Sequence, residues 1–340
     1  MKGSVTMSQM ENNKSKKRNK KKKKKSLGFK IFIGFLCVIL AIAVVGGGYV
    51  IGLLNKMDNI KLNKDNLGIV EDEFKEYENV NKIKNIALFG IDATDGETGR
   101  SDSIMIATLD PVHNKLKITS VMRDSYVYID GHGQDKINHA YAFGGPELAI
   151  KTLNENFGLN IEDFVSVNFS SLPTIINILG GIDIEITQEE LEYINSYIDD
   201  INAKDGTYSP HISYAGVQHL DGTQALAYSR IRYTSGGDYE RTQRHRTVLN
   251  ALFNKLTSTS VTSYNSLLNE VLPYVQTNLN AGDILSLGTK VLGIGNNLEQ
   301  DRFPRDGYGE GTMIDGVYYL TFDKEATVKQ MRDYIFNDVK

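Results

Sequence analysis

From Ile31 to Leu54 the chain reads IFIGFLCVILAIAVVGGGYVIGLL, 24 residues without a charge or a proline. A stretch of this length and polarity has no place on the surface of a water-soluble domain, so it limits every other assignment. As a helix rising ~1.5 Å per residue it reaches roughly 36 Å, enough for a ~30 Å hydrocarbon core. Just before it, residues 1–30 hold 12 Lys or Arg, including the unbroken run Lys20–Lys25, against Glu11 alone. Such a tract elsewhere would read as a nucleic-acid tail; beside a spanning helix it is an orientation signal and a contact for anionic lipid. Positive charge stays cytoplasmic, so the N-terminus is expected inside and everything after Asn55 outside. A cleaved signal peptide is the competing reading, because Ala41-Ile42-Ala43 resembles a cleavage site. Yet apolar sequence continues to Leu54 and the charged leader is long, which favours a retained anchor.

The formal net charge of -4 therefore combines a basic tail of +11 with a body of -15. An acidic body argues against general nucleic-acid binding. Cys37, the only cysteine, lies in the apolar stretch, which excludes a disulfide framework and a Cys-built zinc site. The expected organisation is a cytoplasmic tail (1–30), a transmembrane anchor (31–54), a polar acid-rich stalk (55–81) and an extracytoplasmic domain (82–340). That domain divides into a motif core (84–256) and a C-terminal extension (257–340).

Within the core, the apolar run 84–90 suits a buried strand. Strands are expected at 103–109 and 115–121, separated by the turn signal Asp110-Pro111-Val112-His113-Asn114. In the second, Leu116, Ile118 and Ser120 alternate with Lys115, Lys117 and Thr119, which makes the first set the more apolar face. Residues 146–157 read as a helix with Pro146 in its first turn and Gly158 as its stop. A strand at 164–169, a helix at 171–179 closed by Gly180-Gly181, a strand at 182–186 and a helix at 239–256 follow. The tail carries a strand at 317–322, and the glycine-rich 307–311 reads as a surface loop. This alternation predicts an α/β fold, a layered α-β-α domain with a central mixed sheet.

Arginine is scarce, 11 in 340 residues, yet Arg230, Arg232, Arg241, Arg244 and Arg246 crowd into 17 positions where even scatter would put fewer than one. Clustering in an acidic body asks for an anionic ligand, because the guanidinium fork holds phosphate oxygens bidentately and keeps its proton. Arg241 and Arg244, spaced i and i+3, are neighbours on one helix face. Arg230 and Arg232, at strand spacing, would point the same way. A second group, Asp92, Asp95, Arg100 and Asp102, brings acids to strand ends beside a glycine-containing loop. That suits Mg²⁺, which takes one or two carboxylates plus substrate phosphate; for Asp95 a plain loop role is the better reading. A third group is Arg123-Asp124 followed by Lys136 to Tyr141, in which His139 reads as a structural residue. A G-x-S-x-G elbow, an H-E-x-x-H helix and a P-loop are all missing from the sequence.

Seven segments in order, GRSDSIMIATLDP, ITSVMRDSYVYI, KINHAYAFGGPELAIKTLNENFGL, DFVSVNFSSL, LGGIDIEI, LDGTQALAYSRIRY and GDYERTQRHRTVLNAL, resemble the LytR–CpsA–Psr family of cell-wall assembly proteins. The resemblance implies a domain that holds a polyprenyl diphosphate lipid, its chain in an apolar groove and its diphosphate among arginines. It implies Mg²⁺-dependent transfer of a glycopolymer, of wall teichoic acid or capsule type, from that carrier to the 6-hydroxyl of N-acetylmuramic acid in peptidoglycan. By motif, Asp92 and Asp102 would hold the metal, and Arg100, Arg123, Arg230, Arg232, Arg241 and Arg244 would surround the diphosphate with Lys136 nearby. Arg100, Asp102, Arg123, Asp124, Arg241 and Arg244 form the expected catalytic set. Two departures stand out: Ala93-Thr94 follow Asp92 where the family often continues toward an Arg, and His245 replaces the Gln of R-x-x-R-Q.

The chemistry agrees with these residues, since phosphoryl transfer needs positioning and charge neutralisation more than covalent catalysis. Asp102, Asp124 and Asp238 are candidates for the base that takes the acceptor proton. A diphosphatase, with water as acceptor, and a non-catalytic lipid-binding regulator are the alternatives. Both carrier and wall lie outside a Gram-positive-type cell membrane, where the anchor would place the domain.

Overall fold

Strands flanked by turn signals pair into a central sheet and three two-stranded ribbons in a computed structural model that describes residues 52, 56–93, 98–234, 237–258, 269–294 and 298–340. The basic tail and nearly all of the expected anchor lie outside these residues. No helix among the described residues is long and apolar enough to cross a membrane. The strands are β1 (Asp58–Asn59), β2 (Lys84–Asp92), β3 (Arg100–Asp110), β4 (Lys115–Val121), β5 (Tyr126–Ile129), β6 (Gly133–Lys136) and β7 (Asp163–Asn168). They continue as β8 (Ile182–Ile186), β9 (Gly216–Leu220), β10 (Val275–Thr277), β11 (Leu298–Phe303), β12 (Gly309–Ile314) and β13 (Val317–Phe322). The helices are α1 (His139–Phe157), α2 (Leu172–Ile178), α3 (Gln188–Asp205), α4 (Gly222–Arg230), α5 (Gly237–Ser258), α6 (Ala281–Ile294) and α7 (Lys324–Phe336).

The central sheet has seven strands in the order β1-β10-β7-β2-β3-β4-β11. It is mixed: β2 runs antiparallel to β3 and parallel to β7, while β4 is parallel to β11. Side chains of β2 alternate between two cores, as a pleated strand requires. Ala87, Phe89 and Ile91 pack in the cluster that includes α1 and α7, whereas Ile86 and Leu88 pack in the one that includes α6. A third cluster joins the β8–β9 ribbon to α3, α4 and α5 through Ile184, Ile198, Leu226 and Val248. The layered α-β-α arrangement is therefore present, with an added lobe beside it.

Several local expectations change. The segment 55–81, expected as a stalk and described from Lys56 on, contributes β1 and three short 3-10 turns, the last ending at Lys82, and Leu67, Phe74, Tyr77 and Val80 are buried in the main core. The C-terminal extension, expected within the same domain, does contribute to that core: Met331, Tyr334, Ile335 and Phe336 of α7 are buried there. On β4 the face expected to be polar is the more deeply buried: Lys117 and Thr119 are fully buried while Ile118 is partly exposed. Lys117 is tolerated inside because its Nζ donates to Asp110 Oδ2 at 2.9 Å and to the Tyr334 carbonyl at 2.8 Å. Residues 309–311, expected in a loop, open β12 and pair with β13.

Candidate functional site

Two cavities meet on the face of the sheet covered by α2 and α5. The first is apolar, lined by Leu88, Met105, Val165, Val167, Ile175 and Leu252 among others. The second is polar and gathers Asp92, Asp102, Arg230, Arg232 and Arg241, with Tyr197, Asp200, Lys204 and Tyr233 on its outer side. Phe169, Ser229 and His245 line both. An apolar chain in the first cavity would thus emerge with its head among arginines.

Local sequence builds this neck. Gly90, on β2, lines the apolar cavity, and a Cβ there would sit 2.9 Å from both the Phe169 ring and Ser103 Cβ. Between Gly90 and Ile91 the pairing with β3 shifts: Gly90 opposes Ser103, Ile91 opposes Ser101, and Asp102 is the extra residue of a bulge. A bulge re-aims one side chain out of the ladder, and here the chamber receives a carboxylate. Asp102 Oδ2 accepts from Arg123 Nη1 at 2.6 Å and Arg241 Nη2 at 3.2 Å, and Oδ1 accepts from Asn138 Nδ2 at 2.9 Å. Burial pushes the Asp102 carboxyl upward, but the Arg123 and Arg241 charges, the Asn138 amide and Arg100 together hold it below the usual carboxylate range.

The other expected residues fall into three places. Arg230 is the last residue of α4 and Arg232 lies just beyond it, so their spacing is not that of a strand; both still line the polar chamber. Arg100, exposed at the start of β3, stands opposite Asp92 at the end of β2. Asp124 sits between two cations, with Lys136 Nζ 2.8 Å from Oδ1 and Arg123 Nε 3.4 Å from Oδ2. Asp238 lies in the first turn of α5, and Asp95 falls outside the described residues.

Arg244 goes elsewhere. Its Nε donates to Glu190 at 2.8 Å, Nη1 to the Ile231 carbonyl at 3.1 Å, and Nη2 to Thr234 Oγ1 at 2.7 Å and Glu240 Oε2 at 3.0 Å. The residue is buried and is not part of the chamber lining. Glu190 also closes the capping box of α3 with Thr187. Sequence reasoning missed Glu190, although Thr187-x-x-Glu190 is a legible capping signal. It also missed Asn138 and Phe169, which lie in the quoted motif blocks but gain their roles only through tertiary contact.

His245 is buried at the neck, its ring centroid 5.6 Å from that of Phe169. Burial, reinforced by the nearby Arg241 charge, pushes its imidazole down to about 3, so it is neutral at physiological pH. Among the described residues no group of three or more His, Cys, Asp or Glu could hold a metal by protein ligands alone. Asp92 and Asp102 in one chamber do fit an ion that takes two carboxylates and completes its shell from phosphate and water. Asp92 is exposed, while both Asp102 oxygens already accept hydrogen bonds.

An apolar cavity opening onto an arginine-lined chamber defines a protein built to hold an amphiphile by an anionic head. The chain belongs to the LytR_cpsA_psr family, whose sequence signature matches residues 52–334. It is 34% identical over 318 residues to the polyisoprenyl-teichoic acid–peptidoglycan teichoic acid transferase TagU of Enterococcus faecalis, covering 91% of this chain and 97% of the relative. Among solved structures, that of B. subtilis TagT is similar with a TM-score of 0.61 and 27% identity, covering 82% of this chain and 99% of that one. A structure of TagT with bound octaprenyl pyrophosphate lipid is similar with a TM-score of 0.55 and 25% identity, covering 74% and 90%.

Proposed function

We propose that this chain is a membrane-anchored phosphotransferase that moves an anionic glycopolymer of wall teichoic acid or capsule type from a polyprenyl diphosphate carrier to peptidoglycan, at the 6-hydroxyl of N-acetylmuramic acid. The observation that carries this is the neck of Phe169, Ser229 and His245, where the apolar cavity and the arginine chamber share a wall. The similarity to a teichoic acid transferase and to a TagT with bound octaprenyl pyrophosphate supports the same reading. The anchor at 31–54 would hold the domain outside the cell membrane, where carrier and wall both lie.

In the proposed step the acceptor oxygen forms a bond to the phosphorus that carries the glycopolymer. The phosphoanhydride bond breaks, polyprenyl phosphate leaves toward the apolar cavity, and the hydroxyl proton passes to a base. Arg241, Arg230 and Arg232 would bind the diphosphate and neutralise the leaving group, and Arg100 and Arg123 would flank it. Magnesium held by Asp92 and Asp102 would supply further charge neutralisation when bound. Asp102, held ionised by two guanidiniums, is suited to fixing Arg123 and Arg241 rather than to taking a proton, which leaves Asp124 and Asp238 as candidate bases. Arg244 acts here as a positioning residue that holds the 231–234 turn against α3.

The test is full-length protein with a lipid-diphosphate-linked saccharide and peptidoglycan oligomers, with and without Mg²⁺, and the products read by mass spectrometry. A phosphodiester adduct is expected, with Arg241→Ala lowering its rate by about 10²–10³-fold, the loss typical of one transition-state donor. Saccharide phosphate and polyprenyl phosphate without adduct would make the chain a diphosphatase. Tight lipid binding without turnover would make it a binding protein.

A further inference from the structure

Two hairpins outside both cavities meet beside the charged residues of the site. In β5–β6, Tyr126 lies directly opposite Lys136, and Tyr128 is two residues along on the same face. The β12–β13 hairpin is tied to this one through Asp124, whose carbonyl accepts from the Leu320 amide at 2.8 Å. It brings Tyr318 and Tyr319 to 5.9 and 5.6 Å from Lys136 Nζ. Tyr126 and Tyr319 contact edge to face at 4.8 Å. Gly311 gives Tyr318 its seat: a Cβ there would lie 2.8 Å from the ring. Tyr128 remains 47% exposed and Tyr318 44%. Exposed aromatic rings gathered where two hairpins meet mark an interaction surface more often than scattered ones do.

The surface is continuous with the site. Lys136 reaches Asp124, Asp124 reaches Arg123, and Arg123 reaches Asp102. None of the four tyrosines or Lys136 lines the apolar cavity or the arginine chamber, so the shelf is separate from the place where the donor head would lie. In-line displacement brings the attacking oxygen from the side away from the leaving group. We infer that this tyrosine shelf binds the acceptor glycan, stacking the apolar faces of its pyranose rings on Tyr128 and Tyr318 and delivering one sugar hydroxyl past Lys136 and Asp124. A flat ring with a hydroxyl at its rim suits an amphipathic sugar, and few rotatable bonds are frozen on contact. A bilayer is the less fitting occupant. The hairpin follows β11, the sheet edge opposite β1, ~29 Å across the strands from where the chain arrives from its apolar segment.

This inference rests on the transferase reading for its purpose but not for its test. Full-length protein in nanodiscs is titrated with soluble, uncrosslinked peptidoglycan glycan strands, and separately with polyprenyl diphosphate. Tyr128→Ala together with Tyr318→Ala is expected to weaken strand binding about tenfold, the scale of losing aromatic anchors, and to raise the acceptor KM to match. Polyprenyl diphosphate affinity stays within twofold. Tyr318→Phe, which keeps the ring, retains strand binding, and Tyr208→Ala, on an exposed loop after α3, changes nothing. Strand affinity within twofold of wild type in the double alanine variant overturns the inference, whichever other surface the tyrosines prove to touch. If wild type binds strands through these tyrosines yet makes no adduct, the shelf stands and the transferase reading fails. Adduct formation with unaltered strand binding in the variant gives the reverse.

Discussion

Arg241 and Arg244 show how two arginines one helical turn apart divide their tasks. Arg241 turns to the chamber and Asp102, whereas Arg244 spends its donors on Glu190, Ile231, Thr234 and Glu240. Removing one member of a buried pair leaves the other charge uncompensated, so Arg244→Ala should cost ~3–5 kcal/mol. Chemical denaturation of the two variants checks this: Arg241→Ala should lose activity with a smaller stability change, and Arg244→Ala should lose both. Nothing in the spacing of the two residues distinguishes them, because the difference lies in what α3 brings against Arg244. His245 carries a pH signature of its own. Its folded-state value of about 3 lies below the unfolded value near 6.5, so between those limits the unfolded chain binds the extra proton. Its contribution is therefore complete above about pH 6.5 and is lost as pH falls, at up to ~1.4 kcal/mol per pH unit. Between pH 7 and pH 5 the wild type should lose ~2 kcal/mol more than His245→Gln in urea unfolding.

At the level of elements, strands with punctuation on both sides were legible in the sequence. Residues 115–121 after the Asp110-Pro111 turn and 182–186 after Gly180-Gly181 match β4 and β8 residue for residue. The helix stop at Gly158 also matches, with that residue in the left-handed region at φ 61°. The bulge that aims Asp102 was not legible, because a register shift belongs to a pair of strands and not to either one. Helix α4 was missed for a different reason: the apolar content of LDGTQALAYSR hides its Asp221–Gln224 capping box, and the alternation of SRIR suggested a strand. The buried side of Lys117 depended on carbonyls 217 and 218 residues away. Gly90 tests the bulge and the neck together. The Cβ and methyls of Gly90→Val would drive into Phe169 and Ser103, an overpacking that costs ~1–3 kcal/mol. Polyprenyl diphosphate binding should fall at least tenfold, while thermal unfolding remains a single transition. Unchanged lipid affinity would place the lipid elsewhere.

Over the whole molecule the two ends of the described chain pack on one another. Phe74 and Tyr77 place their rings 5.6 and 5.5 Å from Phe336, and the Arg332 guanidinium lies 4.7 Å from the Tyr77 ring and donates to the Glu73 carbonyl. Leu67 adds its side chain to the same core, and Asn154 of α1 donates to the Leu67 carbonyl at 2.7 Å. Residues 56–83 are thus a covering layer of the domain and not a spacer. Burying Leu67, Phe74, Tyr77 and Val80 at ~1.5–3 kcal/mol each amounts to roughly 6–12 kcal/mol, comparable with the ~5–15 kcal/mol that stabilises a whole domain. A chain beginning at Lys56 should therefore unfold in one cooperative transition, and a chain beginning at Lys84 should lack fixed tertiary structure, with near-ultraviolet dichroism lost and exposed apolar surface binding dye. Equal urea midpoints for the two would show that residues 56–83 cover the core without holding it. Because those turns press on α1 and α7, which pack on one face of the sheet that carries Asp92 and Asp102, the shorter chain should lose lipid diphosphate binding together with its fold.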